Sequence, residues 1–283
     1  EDVSGSDENS GNEENGSVSD SSDQDTQDVS GAGNETSVSG NNIKVYSAEE
    51  TATGSLLVEG NSGSYSYDAE NDVITVKDGA ELTFHSAEGY GEENPSKTRI
   101  YVKKDASATL TLDGVYIDVS KQEASPLEIA EDSAGAVSLI LKASNLLAAG
   151  EKYAGIQKNG TAKGTLSISG SGNLSVWAGW FAAGIGGGYE KAGSNITISD
   201  GNVWAYGKDG GAGIGGGMCG AGSHITISGG MVTAKGDLNG AGIGGGANEA
   251  ASNITITGGT VIASGDSAGA GIGGGYQGNA RDI

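Results

Sequence analysis

Short runs of alternating apolar and polar residues fill the second half of the chain, and Gly, Asn, Asp or Ser bounds each run. Residues 196–198, 225–227 and 254–256 all read Ile-Thr-Ile and follow one another at intervals of 29 residues. Alternation with a period of two predicts β-strands that bury one face. No window has the apolar spacing of an amphipathic helix, so the pattern predicts an all-β chain of short strands.

Two further blocks repeat with the same period. The hexapeptide Ala-Gly-Ile-Gly-Gly-Gly starts at Ala183, Ala212, Ala241 and Ala270, and a Val-x-Ala segment starts at Val203, Val232 and Val261. Three strands in each 29-residue unit, without helices, are typical of one coil of a parallel β-helix. Parallel crossovers are nearly always right-handed, so we expect a right-handed parallel β-helix with 29-residue coils.

The internal ladders of this β-helix follow from the period. Equivalent residues of successive coils stack at the strand spacing of about 4.8 Å. We therefore expect internal ladders of isoleucine at the hexapeptide and of valine in the third block. Their members are Ile185, Ile214, Ile243 and Ile272 in the first ladder, and Val203, Val232 and Val261 in the second.

The chain divides into three parts by composition. Residues 1–40 contain 11 Asp or Glu and no Lys or Arg, and most of the others are Ser, Gly and Asn, so we expect a disordered acidic tether. Residues 41–95 lack the period but contain strand patterns, which indicates N-terminal β coils and a cap. Residues 96–283 form the repeat region. A step of 29 residues from Ile254 reaches Ile283, the last residue, so we expect the β-helix to be truncated there and to continue in a longer protein.

Composition and charge exclude several classes of function. The net charge of −22 argues against nucleic acid and anionic membrane surfaces, which require a basic face. No apolar stretch approaches the roughly 18–20 residues of a membrane span, so we expect no membrane-spanning segment. A single cysteine excludes an intrachain disulfide and a Cys-rich zinc site.

Several short motifs have structural explanations. Residues 211–216 fit G-x-G-x-x-G, but a dinucleotide loop opens a helix, whereas a strand pattern follows here and the motif returns in every coil. We therefore interpret it as a β-helix corner. Cys219 lies in a turn that varies between coils, and His224 shares a column with Asn195 and Asn253, which indicates a polar ladder. His85 is isolated, so a Ser-His-Asp triad has little support.

Carboxylates are the next candidates, because β-helices carry many polysaccharide-cleaving enzymes, which use paired carboxylates or an acidic calcium site. Asp237 and Asp266 lie one period apart, in the column of Lys208, and form the one stacked acidic pair. Two carboxylates fall short of the six or more oxygen ligands of calcium, so solvated turn residues are the favoured interpretation and calcium binding is the alternative. We expect no other cofactor.

The aromatic residues suggest a binding surface. Trp177 and Tyr206 lie one period apart, and Trp204 stands between Val203 and Ala205. If the latter two point inward, alternation directs Trp204 and Tyr206 outward. Together with Trp180 these residues would form a sugar-stacking platform, with one apolar face and a polar rim. The alternative is that the rings cover a corner or contact a neighbouring domain.

The repeats also resemble known proteins. Residues 110–117 (Leu-Thr-Leu-Asp-Gly-Val-Tyr-Ile) and 126–129 (Pro-Leu-Glu-Ile), followed by the repeated Ala-Gly-Ile-Gly-Gly-Gly and Ile-Thr-Ile-Ser-Gly-Gly, are similar to Gram-positive cell-surface Gly-rich β-helix repeat proteins. More loosely, they resemble a carbohydrate-binding domain built as a pectate-lyase-like β-helix. The resemblance covers roughly residues 98–283. It implies an exported, wall-associated protein that binds plant or host polysaccharide, with calcium as the one cofactor it suggests.

These observations lead to a functional expectation with two alternatives. We expect a non-catalytic, extracellular carbohydrate-binding or adhesion module at the cell surface. Its partner would be a polysaccharide or surface glycan, and further segments of a longer protein would associate it with the cell wall. The first alternative is a polysaccharide lyase or glycoside hydrolase on the same scaffold, and the second is a purely structural stalk.

Overall fold

The computed structural model of this protein describes residues 51–160 and 163–283. The acidic segment 1–40, predicted to be a tether, lies outside the described residues. Within the described part, the chain forms 25 β-strands and a single short 3₁₀ turn, Ser62–Ser64. No helix in this part could span a membrane. The all-β prediction is confirmed.

The strands, numbered in chain order, form three sheets. Sheet A contains β1 (Thr51–Thr53), β2 (Leu56–Gly60), β5 (Ala80–Ser86), β7 (Ala108–Asp113), β10 (Ala136–Lys142), β13 (Thr165–Ser169), β16 (Gly193–Ile198), β19 (Gly222–Ile227), β22 (Ala251–Ile256) and β25 (Ala280–Arg281). Sheet B contains β3 (Tyr65–Asp68), β4 (Val73–Val76), β6 (Arg99–Val102), β9 (Leu127–Ile129), β12 (Ile156–Lys158), β15 (Ile185–Gly186), β18 (Ile214–Gly215), β21 (Ile243–Gly244) and β24 (Ile272–Gly273). Sheet C contains β8 (Tyr116–Asp118), β11 (Ser144–Ala148), β14 (Asn173–Trp177), β17 (Asn202–Tyr206), β20 (Met231–Lys235) and β23 (Thr260–Ser264).

Each coil passes through sheets A, C and B in turn and then returns to sheet A. From β7 onward every strand pairs in parallel with the equivalent strand of the next coil. Ile196, Ile225 and Ile254, for example, are direct partners across β16, β19 and β22. The chain is therefore a parallel β-helix of about seven turns with coils of about 29 residues, as the period predicts. The right hand of the coil stays a prediction.

The core lies inside the coil and consists of the predicted ladders. Ile185, Ile214 and Ile243 are fully buried and pair in register, with Ile272 at the end of the same row. Val203 and Val232 form a second buried row. Each fully buried aliphatic side chain contributes roughly 1.5–3 kcal/mol, so the stacked rows are the main source of stability.

Glycine at the corners allows the coils to approach closely. Gly186 and Gly215 have φ angles of 133° and 135°, a conformation that favours glycine. A Cβ atom on Gly186 would lie 2.0 Å from the carbonyl oxygen of Gly215 in the next coil. The motif at residues 211–216 includes β18 and is followed by strand β19 rather than a helix, which confirms its interpretation as a structural part of the coil.

The N-terminal strands are paired differently. Strand β2 runs antiparallel to β1 and to β5, and β3 runs antiparallel to β4. The turn between β3 and β4 is closed by Asp68, whose Oδ1 accepts hydrogen bonds from the backbone N–H groups of Glu70 (3.0 Å) and Asn71 (3.2 Å). Parallel pairing begins with β4 and β5.

Candidate functional site

The outer face of sheet C carries the aromatic residues. In β17 the alternation places Val203 and Ala205 inside, fully buried, and leaves Trp204 and Tyr206 partly exposed. Trp177 ends β14 and is 47% exposed. The outward direction predicted for Trp204 and Tyr206 is confirmed.

Trp177 and Tyr206 form a stacked pair. They are direct partners in the ladder, their ring centroids lie 4.2 Å apart, and the angle between the ring planes is 15°. Each ring therefore covers one face of the other. The neighbour of Trp177 on the opposite side is Ala148, whose methyl group is too small to cover an indole. The second face of the Trp177 ring is consequently left open towards the coil of Ala148.

A groove of about 570 Å³ follows the end of sheet C, and the stacked pair lines it. Small residues from five successive coils line the groove beside the rings, which leaves room for a ligand. These residues are Ser120, Ala149, Ala178, Gly207 and Gly236. Four steps at about 4.8 Å give this row a length of roughly 19 Å along the helix axis.

A second aromatic element also lines the groove. Trp180 is 49% exposed, and the Nζ atom of Lys208 lies 4.3 Å from the centroid of its ring. A cation–π contact of this kind contributes about 0.5–1 kcal/mol at an exposed site. The carboxylates of Glu151 and Asp237 belong to the same lining, so the groove combines two apolar surfaces with charged groups of both signs.

Phe181, which the sequence analysis did not select, supports Trp180. Its φ angle is 69°, an uncommon conformation for a bulky residue. One coil later the same column holds Gly210, with a φ of 93°. The Phe181 ring lies 6.5 Å from Trp180 and 5.4 Å from Tyr189, between centroids. The neighbouring members of this column are Lys152 and Asn239, also with positive φ, so the sequence signal for Phe181 is a bulky aromatic residue in a variable corner column beside a tryptophan.

The structure separates Trp204 from the other aromatic residues. Trp204 pairs with Ser175 on one side and Thr233 on the other, in the central outer row of sheet C, and it does not line the groove. Of the four aromatic residues predicted to form one platform, the structure brings together Trp177, Trp180 and Tyr206.

The two stacked aspartates are engaged in turns. Asp237 Oδ2 accepts a hydrogen bond from the backbone N–H of Asp209 at 3.2 Å, and Asp266 Oδ1 accepts one from Ser267 at 2.8 Å. In residues 51–160 and 163–283, no group of three or more His, Cys, Asp or Glu side chains could hold a metal ion. The pair therefore does not fit calcium, which requires six or more oxygen ligands.

The remaining sequence candidates occupy structural positions. Asn195, His224 and Asn253 share a column with φ angles of 56°, 52° and 53°, and His224 Nε2 lies 3.4 Å from Asn253 Nδ2, so the polar ladder is confirmed. Cys219 is partly exposed in a turn with a φ of 59°. His85 is buried in β5, with Nδ1 3.0 Å from the carbonyl oxygen of Asp113.

Comparison with known proteins addresses the scaffold. A family model described as "Beta helix repeat" matches three segments, residues 196–218, 225–247 and 254–276. The chain is a β-helix repeat protein. Searches of curated proteins and of solved structures found no significant match.

The family match accounts for the repeated coils of this β-helix repeat protein but not for the aromatic residues that line its groove. Trp177 and Trp180 precede the first matched segment. The position of Tyr206 is occupied by Lys235 and then Ser264 in the following coils, although the inward Val and Ala residues are retained. The aromatic lining is therefore specific to two coils of the β-helix repeat protein, whereas the repeat itself specifies the core.

Proposed function

We propose that this groove binds a carbohydrate chain, and that the protein is a non-catalytic, extracellular module for glycan binding or adhesion at the cell surface. The observation that carries the proposal is the stacked Trp177–Tyr206 pair, whose outer indole face is open to a groove of about 570 Å³. Aromatic rings offer a large, rigid apolar surface, which suits the apolar face of a sugar ring.

The rest of the groove supports the same ligand. Trp180 adds a second half-exposed ring, and Lys208, Glu151 and Asp237 supply polar groups within reach of sugar hydroxyls. Binding sites commonly combine apolar walls with a few polar groups that fix orientation. The row of small residues follows the helix axis, so an extended chain would lie along that axis.

The cell-surface part of the proposal is supported by the sequence. An acidic Ser-, Gly- and Asn-rich segment precedes the coils, and the repeats resemble those of Gram-positive surface proteins. We propose that this acidic segment connects the binding module to the cell envelope.

Removing the open indole face tests the binding proposal. We expect Trp177→Ala to weaken binding to a polysaccharide by about 1–2 kcal/mol, or about 5–30-fold, because an exposed aromatic contact is lost. Trp204→Ala is the matched control, because Trp204 is also an outward aromatic residue of sheet C but lies outside the groove. Affinity electrophoresis against neutral and acidic polysaccharides measures both variants.

Two results would contradict the proposal. One is that no polysaccharide retards the wild-type chain. The other is that Trp204→Ala weakens binding as much as Trp177→Ala does. A lower melting temperature of Trp177→Ala with unchanged binding would show that the stacked pair only stabilises the corner.

The lyase or hydrolase alternative rests on one observation, which is that Glu151 and Asp237 line the same groove. Cleavage of a glycosidic bond by hydrolysis uses a pair of carboxylates. An enzyme would release new reducing ends or unsaturated products from a bound polysaccharide, and Glu151→Gln would stop the release while leaving binding intact. Binding without release of product supports the non-catalytic module.

A further inference from the structure

The outer face of sheet A carries a row of hydroxyl groups in strict register. In six successive coils the same outward position is occupied by threonine or serine, and each residue is the direct partner of the next. The row consists of Thr109, Ser138, Ser167, Thr197, Thr226 and Thr255. In the first five of these coils the inward neighbours on both sides are aliphatic or Ala residues of the core, so the row stands there on a rigid base.

A second row runs parallel to the first, two residues further along each strand. It consists of Thr111, Ile140, Ser169, Ser199, Ser228 and Thr257. The backbone N–H groups of Ser199, Ser228 and Thr257 donate to the carbonyl oxygens of Ile168, Ile198 and Ile227, so the stacking continues through this row. Five of its six members carry a hydroxyl group.

The two rows define a repeating surface. Neighbouring coils are about 4.8 Å apart, and two residues along a parallel strand span about 6.6 Å. The late coils repeat the unit most regularly, as Thr-Ile-Ser at residues 197–199 and 226–228 and as Thr-Ile-Thr at residues 255–257. The hydroxyl groups therefore form a two-dimensional lattice.

These hydroxyl groups are available to a ligand. Thr197 and Thr226 are partly exposed and Thr255 is exposed. In the described part of the chain, no hydrogen bond joins these three hydroxyls to another residue, whereas Ser167 Oγ donates to Ser138 Oγ at 3.1 Å in an earlier coil. A threonine hydroxyl can both donate and accept hydrogen bonds, and its methyl group lies beside it.

From β7 onward the two rows themselves carry no charge and no aromatic ring, although Glu81 precedes Thr109 in the first row and the paired Asp113 and Lys142 flank the second row on the same face. Neither row contains Lys, Arg, Asp, Glu, Phe, Tyr or Trp, although the chain has 37 acidic residues. Strand propensity alone does not explain this choice, because Val, Ile and Tyr suit an outward strand position as well as Thr does. The absence of charge within the two rows favours an uncharged partner at the later coils, and the absence of rings disfavours a sugar, which the protein's aromatic groove on sheet C suits better.

We propose that the outer face of sheet A binds ice. Ice is an uncharged, periodic lattice of water, and its surface oxygen atoms repeat at distances close to those of stacked strands. In this proposal the threonine hydroxyls would hold a layer of water by hydrogen bonds, the methyl groups would restrict its arrangement, and that layer would match the ice lattice. The function is separate from glycan binding, because it uses a different sheet and different residues.

Ice affinity and a substitution at the centre of the face test the proposal. The full chain is frozen slowly onto a cold surface, and the protein in the ice is compared with the protein left in solution. We expect the wild type to be enriched in the ice and to inhibit ice recrystallisation. Thr226→Lys should lose most of both effects, because a long charged side chain holds the lattice away.

The controls separate misfolding and other ligands from the proposal. Thr233→Lys introduces the same side chain at an outward position of sheet C and should retain ice enrichment. Thr197→Lys repeats the test in the adjacent coil, and circular dichroism checks that each variant folds. Exclusion of the wild type from ice overturns the proposal, as does equal enrichment of folded Thr226→Lys. Thr226-dependent binding to crystalline cellulose without ice enrichment also overturns it, in favour of a polysaccharide.

Discussion

Lys158 is a charged residue on an inward row of the β-helix. It is 3% exposed and stands in register with Ile129, which in turn pairs with Val102. Burial lowers the pKa of the Lys158 ammonium, and the nearby Asp132 only partly opposes this effect. The charged form is thus less favourable in the folded chain than in the unfolded chain, and Lys158 costs stability at neutral pH.

We expect Lys158→Met to raise the melting temperature at pH 7. Methionine fills similar space without a charge, and replacing a buried charge by an apolar side chain is often stabilising. The sign of the pH dependence follows from the lowered pKa. Between the folded pKa and the unfolded value near 10.5 the unfolded chain binds more protons, so the wild type gains stability as pH rises. Thermal melts at increasing pH should show the advantage of Lys158→Met shrinking, and an advantage that grows with pH would contradict this account.

At the residue scale, the sequence predicted correctly which aromatic side chains point outward, but it did not predict which of them contact one another. Alternation with a period of two directed Trp204 and Tyr206 outward because Val203 and Ala205 fill the interior. The period also aligned Trp177 with Tyr206. The ring stack and the separation of Trp204 depend on side-chain rotamers and on the width of the corner, which alternation does not encode.

The N-terminal strands are joined to the first parallel coils by a buried network of hydroxyl groups. Thr98 Oγ1 donates to Asp72 Oδ1 at 2.7 Å and accepts from the backbone N–H of Ser55 at 2.9 Å. Ser55 Oγ lies 2.6 Å from Ser96 Oγ, and Tyr67 donates to the same Asp72 oxygen at 2.9 Å. Thr98 is fully buried and Ser55 is 6% exposed, so the backbone N–H of Ser55 has little access to water in place of Thr98.

We expect Thr98→Val to destabilise the chain by about 1–3 kcal/mol, because the substitution leaves buried polar groups without a partner. Thr98→Ser is the matched control, since it retains the hydroxyl and removes only a methyl group. Urea unfolding measures the stability of both variants. The midpoint concentration of urea reports the change in stability, provided that the dependence of the unfolding free energy on urea concentration is unchanged. Equal loss in the two variants would show that the methyl group rather than the hydroxyl network stabilises this region.

The 29-residue period predicted the strands of the repeated coils but not the N-terminal strands that begin the β-helix. The period fixed the parallel ladders from β7 onward because equivalent residues must stack. The antiparallel pairing of β3 with β4 depends instead on a local turn, in which Asp68 accepts two backbone hydrogen bonds. From β7 onward the described strands pair only in parallel, so no periodic signal could indicate this antiparallel hairpin.

At the scale of the whole molecule, stability is close to a sum over neighbouring coils. Each coil pairs only with the coil before it and the coil after it, and the registers are the same from β16 to β22. In such a solenoid the contribution of an internal coil is set by its own residues and its two interfaces. When one whole coil is removed, the coils on its two sides can therefore pair with each other through the same kind of interface.

We expect deletion of residues 222–250 to give a folded β-helix, because Ala251 then takes the ladder position of Gly222. Circular dichroism should retain the β-sheet spectrum, and the melting temperature should fall only slightly. Deletion of residues 222–235 is the control, since it removes β19 and β20 and leaves the sheet B strand β21 to follow the sheet B strand β18, which breaks the order of the sheets. Comparable cooperative unfolding of both deletions would contradict the role of register.

The glycine corner has a consequence for how such a chain changes length over generations. A side chain at Gly186 is excluded by the carbonyl oxygen of Gly215, so the restriction on each coil comes from its neighbour. A duplicated coil contains both the corner glycine and the backbone carbonyl group, so it packs against the coils on either side without further change. Growth or loss of a coil by unequal recombination thus needs no compensating substitution. The outward residues, which meet no such restriction, are then free to diverge into different surfaces.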